Sequence, residues 1–376
     1  MKKVLFLLAF VASVLISFSQ DVKIPAGSKL AMYVEYGGKG IKLGVLAFTD
    51  PTFRKYQPID KRELNVGLSK AIQSTGRIFK EDISSAASSS YDAYKELLDK
   101  YSSKGLLDQN VFFYTSSGVG VANNVQELCN AVYQKTNHRV YVVKETEEAK
   151  YTIAGTIPYE KIDNALVLDQ GGSNTKGGYV IRDGKSLTGI PTNFDLGSVR
   201  IKDLIITNYM KSQPDDANEY RKEFINGMNL CFDSLKTVIK RTFSNIDGAE
   251  SRSELYLSGG AAYVITTLMY PEAPLTDQMV KIDLDKLKGF LTGLQERDFY
   301  NNIKSKTFSD KKVDEEYKKA LRIYDHLSLL SATKLLVTYV NALGGDEKSI
   351  YFNRYGLHSM PSMLIGRVLR GDIPRW

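Results

Sequence analysis

Cysteine and histidine are scarce in this chain: 376 residues hold two cysteines and three histidines. His138, His326 and His358 are scattered without metal-ligand spacing, which argues against a histidine-based zinc site. Cys129 and Cys231 each fall in an apolar helical pattern, Val125-Gln126-Glu127-Leu128-Cys129 and Met228-Asn229-Leu230-Cys231-Phe232. They read as small buried residues rather than a disulfide. Beyond Phe18 no stretch is long and apolar enough to span a bilayer. A basic, aromatic-interleaved stripe is also missing, which excludes the usual nucleic-acid footprint. No low-complexity segment or flexible linker stands out. At 43% hydrophobic and 25% charged residues the composition is ordinary for a globular protein. The length suggests roughly two domains at about 150 residues each.

What is present begins with Met1-Lys2-Lys3, an apolar run from Val4 to Phe18, and small residues at Ser17 and Ser19. This pattern reads as a signal peptide over residues 1–19, cut before Gln20 or Asp21. The run is shorter than the ~20 apolar residues of a spanning helix. No cysteine follows it, so lipid modification of the lipoprotein kind is not expected. The expectation is an exported, periplasmic protein with no stable membrane insertion after cleavage. Removal of Lys2 and Lys3 takes the formal charge from +7 to +5, mildly basic and compatible with an anionic ligand.

Two glycine hairpins carry the chemistry. Leu166-Val167-Leu168-Asp169-Gln170-Gly171-Gly172-Ser173-Asn174-Thr175-Lys176 reads as a buried strand, an acid, a glycine turn and the start of a second strand. Tyr33-Val34-Glu35-Tyr36-Gly37-Gly38-Lys39-Gly40-Ile41-Lys42-Leu43 repeats the layout. An acid beside a turn of exposed N–H groups suits phosphate together with a cation or a water. A third segment, Ser258-Gly259-Gly260, ends a strand in glycines and enters a helix, so it too points backbone donors at an anion.

Strands are expected from Lys29 to Thr49, at Asn110–Thr115, Arg139–Lys144, Glu254–Leu257 and Lys348–Asn353. Arg62 to Lys70 reads as a loop leading to a short helix. Apolar periodicity predicts helices at 82–101, 125–136, 217–243, 283–294, 314–330, 331–343 and about 360–369, and one from Thr146, as N-cap, through Ala154. Alternating strands and helices argue an α/β fold with mixed sheets. One glycine hairpin per half argues duplicated domains facing a cleft, over residues 24–146 and 147–359. The last helix, about 360–376, is expected to pack back onto the first domain.

These motifs, in order, resemble the exopolyphosphatase/guanosine pentaphosphate phosphohydrolase family of the actin–hexokinase–Hsp70 superfamily. Glu35 to Leu43 is similar to its first loop, Asp-x-Gly-Ser-Asn-Ser, and Ser116 to Asn124 to its Thr-x-Ala-x-Arg-x-Ala-x-Asn segment. Glu147-Glu148-Ala149-Lys150 resembles its Glu-Glu-Ala-Arg motif, and Asp169 to Lys176 its Asp-x-Gly-Gly-Gly-Ser-Thr-Glu loop. Asp195 to Arg200 resembles its Leu-Gly-x-Val-Arg turn, Ser258-Gly259-Gly260 its late Gly-Gly segment, and Ser331-Ala332-Thr333 through Tyr355-Gly356-Leu357-His358 its C-terminal part.

The resemblance implies duplicated actin-like (ribonuclease H-like) domains and release of terminal phosphate from polyphosphate or guanosine pentaphosphate with Mg²⁺. Residue by residue, it assigns Glu148 as general base and Asp169 as metal and water ligand, with Glu35 and Glu148 as further metal ligands. Phosphate would lie on Gly37, Gly38, Lys39, Gly171, Gly172, Ser173, Asn174, Thr175, Lys176, Gly259 and Gly260. A homodimer is a possible assembly. The chain departs from the pattern where Glu35 replaces Asp, Gly38 and Lys39 replace Ser and Asn, Gly120 replaces Arg, Ser173-Asn174 replaces Gly-Ser, and Lys176 replaces Glu. Two readings follow: an altered but active hydrolase in which Lys39 and Lys176 supply lost positive charge, or a phosphate-binding protein without turnover. A kinase on the same fold ranks third, because the Glu-Glu-Ala match has no role there.

Overall fold

The computed structural model describes residues 23–376 except 39, 69–71, 73, 173, 184–185, 245, 247, 274 and 276. The expected signal peptide therefore lies outside the described residues. Among those described, no helix is long and apolar enough to cross a membrane. The chain divides into two compact units. One ends at Glu145 and takes in Ile365–Trp376; the other is Thr146–Leu364.

In the first unit, β1 (Lys29–Gly37), β2 (Gly40–Phe48) and β3 (Tyr56–Leu64) form an antiparallel meander. Helix α1 (Lys80–Ser102) then crosses to β4 (Val111–Thr115), which runs parallel to β1. The short α2 (Ser117–Gly120) and α3 (Val125–Thr136) lead to β5 (Val140–Val142), parallel to β4. The sheet order is β3-β2-β1-β4-β5. β1 is buried along most of its length, and so has an almost unbroken apolar sequence. Helix α1 turns Ala86, Ala87, Ser90 and Ala93 inward. These short side chains let the helix approach the sheet, and the buried Tyr36 hydroxyl meets Ser90 Oγ at 2.7 Å.

The second unit begins with α4 (Glu145–Thr156), which leads to β6 (Ala165–Gln170), β7 (Thr175–Asp183) and β8 (Ser186–Phe194), again an antiparallel meander. Then come α5 (Ser198–Asn208), α6 (Ala217–Ser244), β9 (Glu254–Ser258), α7 (Gly259–Met269) and β10 (Met279–Ile282). Helices α8 (Leu284–Leu294), α9 (Arg297–Ser305), α10 (Lys311–Ile323) and α11 (His326–Ala342) precede β11 (Ser349–Asn353) and α12 (Ser359–Arg370), whose residues from Ile365 on belong to the first unit. The sheet order is β10-β11-β9-β6-β7-β8, with β6, β9 and β11 parallel. Read from the meander, β8-β7-β6-β9-β11 repeats β3-β2-β1-β4-β5. The expected duplication is thus present in strand order and direction.

Alternation in β6 sorts its residues between two cores. Leu166 and Leu168 pack with Ile201 and Ile205 of α5, Phe224 and Met228 of α6, and Leu335 and Tyr339 of α11. Ala165 and Val167 pack with Ile153 and Ala154 of α4. Asp169 continues this second face, so α4 covers the side of the sheet on which the acid lies. Both cysteines are buried and free, as expected.

Several boundaries differ from expectation. Arg62 to Leu64 belong to strand β3 rather than to a loop. That strand was hidden by its charges and by Pro58, which an edge strand tolerates. A register shift opposite Val45 and Leu46 further breaks its alternation. The helix expected from Thr146 begins at Glu145 and continues to Thr156. The helices expected at 314–330 and 331–343 meet instead at Tyr324–Asp325. Asp325 caps α11 by accepting the Ser328 N–H at 2.7 Å, and His326 to Ala342 is one helix. β8, β10 and α9 were not anticipated.

Candidate functional site

The glycine turn after β6 is held from both sides. Gly171 N donates to Asn174 O at 3.0 Å and closes the turn. Gln170, fully buried, donates through Nε2 to Ala332 O of α11 at 3.0 Å. Thr175 Oγ1 donates to Leu196 O at 2.6 Å, and Tyr339 donates to the same carbonyl at 3.0 Å. The carbonyls of Gly171 and Gly172 point at the start of α5. They accept from Ser198 N at 2.9 Å, and from Val199 N at 2.8 Å and Arg200 N at 3.2 Å, respectively. The N-terminal donors of α5 are therefore used on the turn itself. Because a trans peptide sets C=O and N–H opposed, the N–H of Gly172 points away from α5. Gly197 makes this contact possible: a Cβ there would stand 2.6 Å from Gly172 O.

Asp169 lies opposite Lys176 in the β6–β7 ladder and beside Ser258 of β9. Directly opposed residues of an antiparallel pair share a face. Its carboxylate sits over the start of α7. A Cβ on Gly259 would fall within contact of Asp169 Oδ1 and 2.5 Å from Gln170 O, and Gly259 holds φ +90°. An acid at a helix N-terminus is electrostatically favourable. Gly259 therefore faces a carboxylate of the protein itself.

Glu148 reaches the same hairpin from α4. Its Oε1 accepts from Lys176 Nζ at 3.0 Å, with the two side chains 21% and 19% exposed. Lys176 thus joins the two expected catalytic acids: its side chain is on the face of Asp169 and its ammonium is on Glu148. Of the residues expected to act in this unit, Glu148, Asp169, Gly171, Gly172, Thr175, Lys176 and Gly259 cluster around one hairpin and its neighbouring helix starts. Asn174 closes the turn but directs its amide Nδ2 to Asn193 Oδ1 at 3.2 Å. Gly260 is the second residue of α7. Ser173 lies outside the described residues.

In the first unit, Glu35 is opposite Lys42 in the β1–β2 ladder and beside Tyr114 of β4. Lys42 Nζ donates to Glu35 Oε1 at 3.1 Å and Tyr114 donates to Oε2 at 3.0 Å. Gly37 and Gly40 pair at the hairpin end, with Gly38 in the turn. Lys39 lies outside the described residues. Lys42 and Tyr114 were missed by sequence reasoning, although one signal was available. In both hairpins the seventh residue after the strand acid is lysine: Glu35 and Lys42, Asp169 and Lys176. Gly120, where the resembled pattern has Arg, is backed by Val142 and Val143. A Cβ there would meet Val143 O at 3.1 Å.

A sequence profile of the Ppx/GppA phosphatase family matches residues 49–228. Residues 49–228 thus carry a Ppx/GppA phosphatase domain. The enzyme class that goes with that domain is hydrolysis of phosphoanhydride bonds, and the two mixed sheets repeat one strand order, the pattern of a duplicated actin-like fold. A Ppx/GppA family member from Aquifex aeolicus superposes with a TM-score of 0.64 at 16% identity, covering 92% of this chain and 100% of that one. An exopolyphosphatase from Cytophaga hutchinsonii superposes with a TM-score of 0.56 at 14% identity, covering 91% and 98%. At these identities the superpositions speak for the fold. Among curated protein sequences none matches.

For a Ppx/GppA protein the implied metal is Mg²⁺, which demands near-octahedral oxygen ligation and is usually held by carboxylates. The donors present do not fit it. Glu148 and Glu35, two of the three expected ligands, each already bind an ammonium, and the third, Asp169, has a lysine directly across the ladder. Among the described residues no three histidine, cysteine, aspartate or glutamate side chains converge as a metal set.

Proposed function

We propose that this chain is an exported phosphohydrolase that releases terminal phosphate from polyphosphate or a related phosphoanhydride, with Glu148 as general base. The observation that carries the reading is the meeting of Glu148, Asp169 and Lys176 on one face of a hairpin whose turn is glycine. The turn is pinned through Gln170, Thr175 and the start of α5, and the Gly172 N–H points away from α5. A donor held this way loses little on meeting a phosphate oxygen. In the reaction, the water oxygen forms a bond to the terminal phosphorus. The bridging P–O bond breaks, and its electron pair leaves with the shortened chain. The water proton passes to Glu148, while Asp169 orients the water. Polyphosphate outranks guanosine pentaphosphate because the apolar N-terminal run implies export, away from cytoplasmic nucleotides.

The ion pair itself favours a second reading, binding without turnover. A carboxylate already holding an ammonium is a weaker base. Phosphate release from both substrates, measured for the parent protein and for Glu148→Gln, separates the two. Hydrolysis with Glu148 as base requires a loss of about 10²–10⁴ in the variant. Equal release by the two proteins removes Glu148 from that role. Binding of polyphosphate by calorimetry with no release from the parent under any metal establishes the second reading.

A further inference from the structure

We infer that the hairpin lysine Lys176 takes the place of a divalent cation, so that the second unit neutralises the charge of a phosphate ligand with its own ammonium group; Lys42 makes the corresponding pair within the first unit. The inference rests on the phosphate-site reading above. Its warrant is the repeated geometry. In each unit a strand ends in an acid, a glycine turn follows, and a lysine returns directly opposite the acid, seven positions on. In each unit the lysine holds a carboxylate otherwise suited to a metal: Lys42 holds Glu35 at 3.1 Å, Lys176 holds Glu148 at 3.0 Å. One such lysine is an ordinary surface substitution; the same one at the same register in both halves is a shared device.

The chemistry of the ammonium suits the task. It carries three N–H donors and no acceptor. Lys176 can keep one donor on Glu148 and turn the others to phosphoryl oxygens. Its backbone lies in β7, hydrogen-bonded to β6 on one side and β8 on the other, so the charge stands on a rigid strand rather than a loop. A magnesium ion at Glu148 would have to displace that ammonium and remain beside a positive charge. During phosphoryl transfer negative charge grows on the bridging oxygen, while the non-bridging oxygens keep theirs spread among them. Lys176 stabilises it by donated hydrogen bonds, while the water proton goes to Glu148 as above. No further reactant is needed.

The test compares the parent protein with Lys176→Glu, which restores the acid of the family loop. Phosphate release from sodium polyphosphate is followed in EDTA and in excess magnesium, and manganese binding to the substrate-free proteins is measured by calorimetry. The parent should release phosphate at the same rate in both media, within about twofold, and give no manganese isotherm. Lys176→Glu should lose about 10²–10³-fold in EDTA, recover with metal, and show a manganese isotherm. A fall of about tenfold or more for the parent in EDTA, or a parent manganese isotherm lost in Glu148→Gln, overturns the inference. Should Lys176→Glu not fold, Lys176→Gln serves: release should fall about 10²-fold with or without magnesium, and unchanged release contradicts the inference. If the parent releases no phosphate under any condition, the hydrolase reading fails by itself. Polyphosphate binding in EDTA then decides the lysine: weakening by about tenfold or more in Lys176→Gln supports it, and equal binding refutes it.

Discussion

Replacing Gly259 by alanine should damage both stability and turnover, for one geometric reason. The residue holds φ +90°, and its missing Cβ would fall against Asp169 Oδ1, with Gln170 O at 2.5 Å and Gln170 C at 2.8 Å. The positive φ costs an L-residue about 1–2 kcal/mol. Overpacking against backbone that cannot swing aside adds about 1–3 kcal/mol. Taking about 3 kcal/mol for the unit Thr146–Leu364, the melting temperature should fall by roughly 6–12 °C, measured by circular dichroism. Asp169 must also move, and under the role proposed for it a displacement near 1 Å lowers the rate about 10²-fold. The control is Gly289→Ala. Gly289 is exposed in α8 with nothing within 4 Å of its would-be Cβ, so alanine should stabilise by about 0.5–1 kcal/mol. If Gly259→Ala melts within about 2 °C of the parent, less than 1 kcal/mol, the packing of Asp169 over the start of α7 is refuted.

Three further outcomes follow from other residues. Asn124, buried in the first unit, accepts from Ile78 N at 2.8 Å and donates to Ile78 O at 3.0 Å. Asn124→Ala leaves both backbone groups unpaired and should destabilise by about 2–5 kcal/mol. The fluorescence of Trp376, the single tryptophan, packed on Tyr141 and Phe112 of that unit, can follow the transition. Asp325→Ala removes the α11 cap and should destabilise by about 1 kcal/mol at neutral pH. Its pH dependence has a definite sign. Burial raises the Asp325 carboxyl, but its bonds to Lys202 and the Ser328 N–H outweigh this and hold it below the ordinary carboxylate value. The contribution is therefore complete above that value and lost as pH falls through the folded one, so parent and variant should converge in acid melts. Gly197→Ala should lower the melting temperature and weaken polyphosphate binding together, because a Cβ there stands 2.6 Å from Gly171 O and Gly172 O. Unchanged binding would detach the turn from phosphate recognition.

The legible parts of the sequence were those with strong local period. The apolar runs of β1, β2 and β6 stood out because strands buried on both faces leave no polar alternation. The glycine turns stood out because close backbone approach excludes side chains. β3 did not, since an edge strand carrying Pro58, Asp60, Lys61, Arg62 and Glu63 looks like a loop. The α10–α11 boundary was misplaced because Asp325 acts as a cap only through its side-chain bond, which apolar periodicity does not register. Asp169, Glu148 and Lys176 were singled out through motif order. Their mutual arrangement was not, because the Glu148–Lys176 pair spans 28 positions and depends on α4 lying over the Asp169 face of the sheet. Lys42 was overlooked beside Lys39 because only strand register shows which lysine opposes the acid.

The most direct measurement is the initial rate of phosphate release from polyphosphate by Glu148→Gln against the parent, with polyphosphate affinity measured alongside. A rate lower by about 10²–10⁴ at unchanged affinity is the result expected of a general base. Equal rates, or a loss of rate accounted for by a loss of affinity, would contradict it.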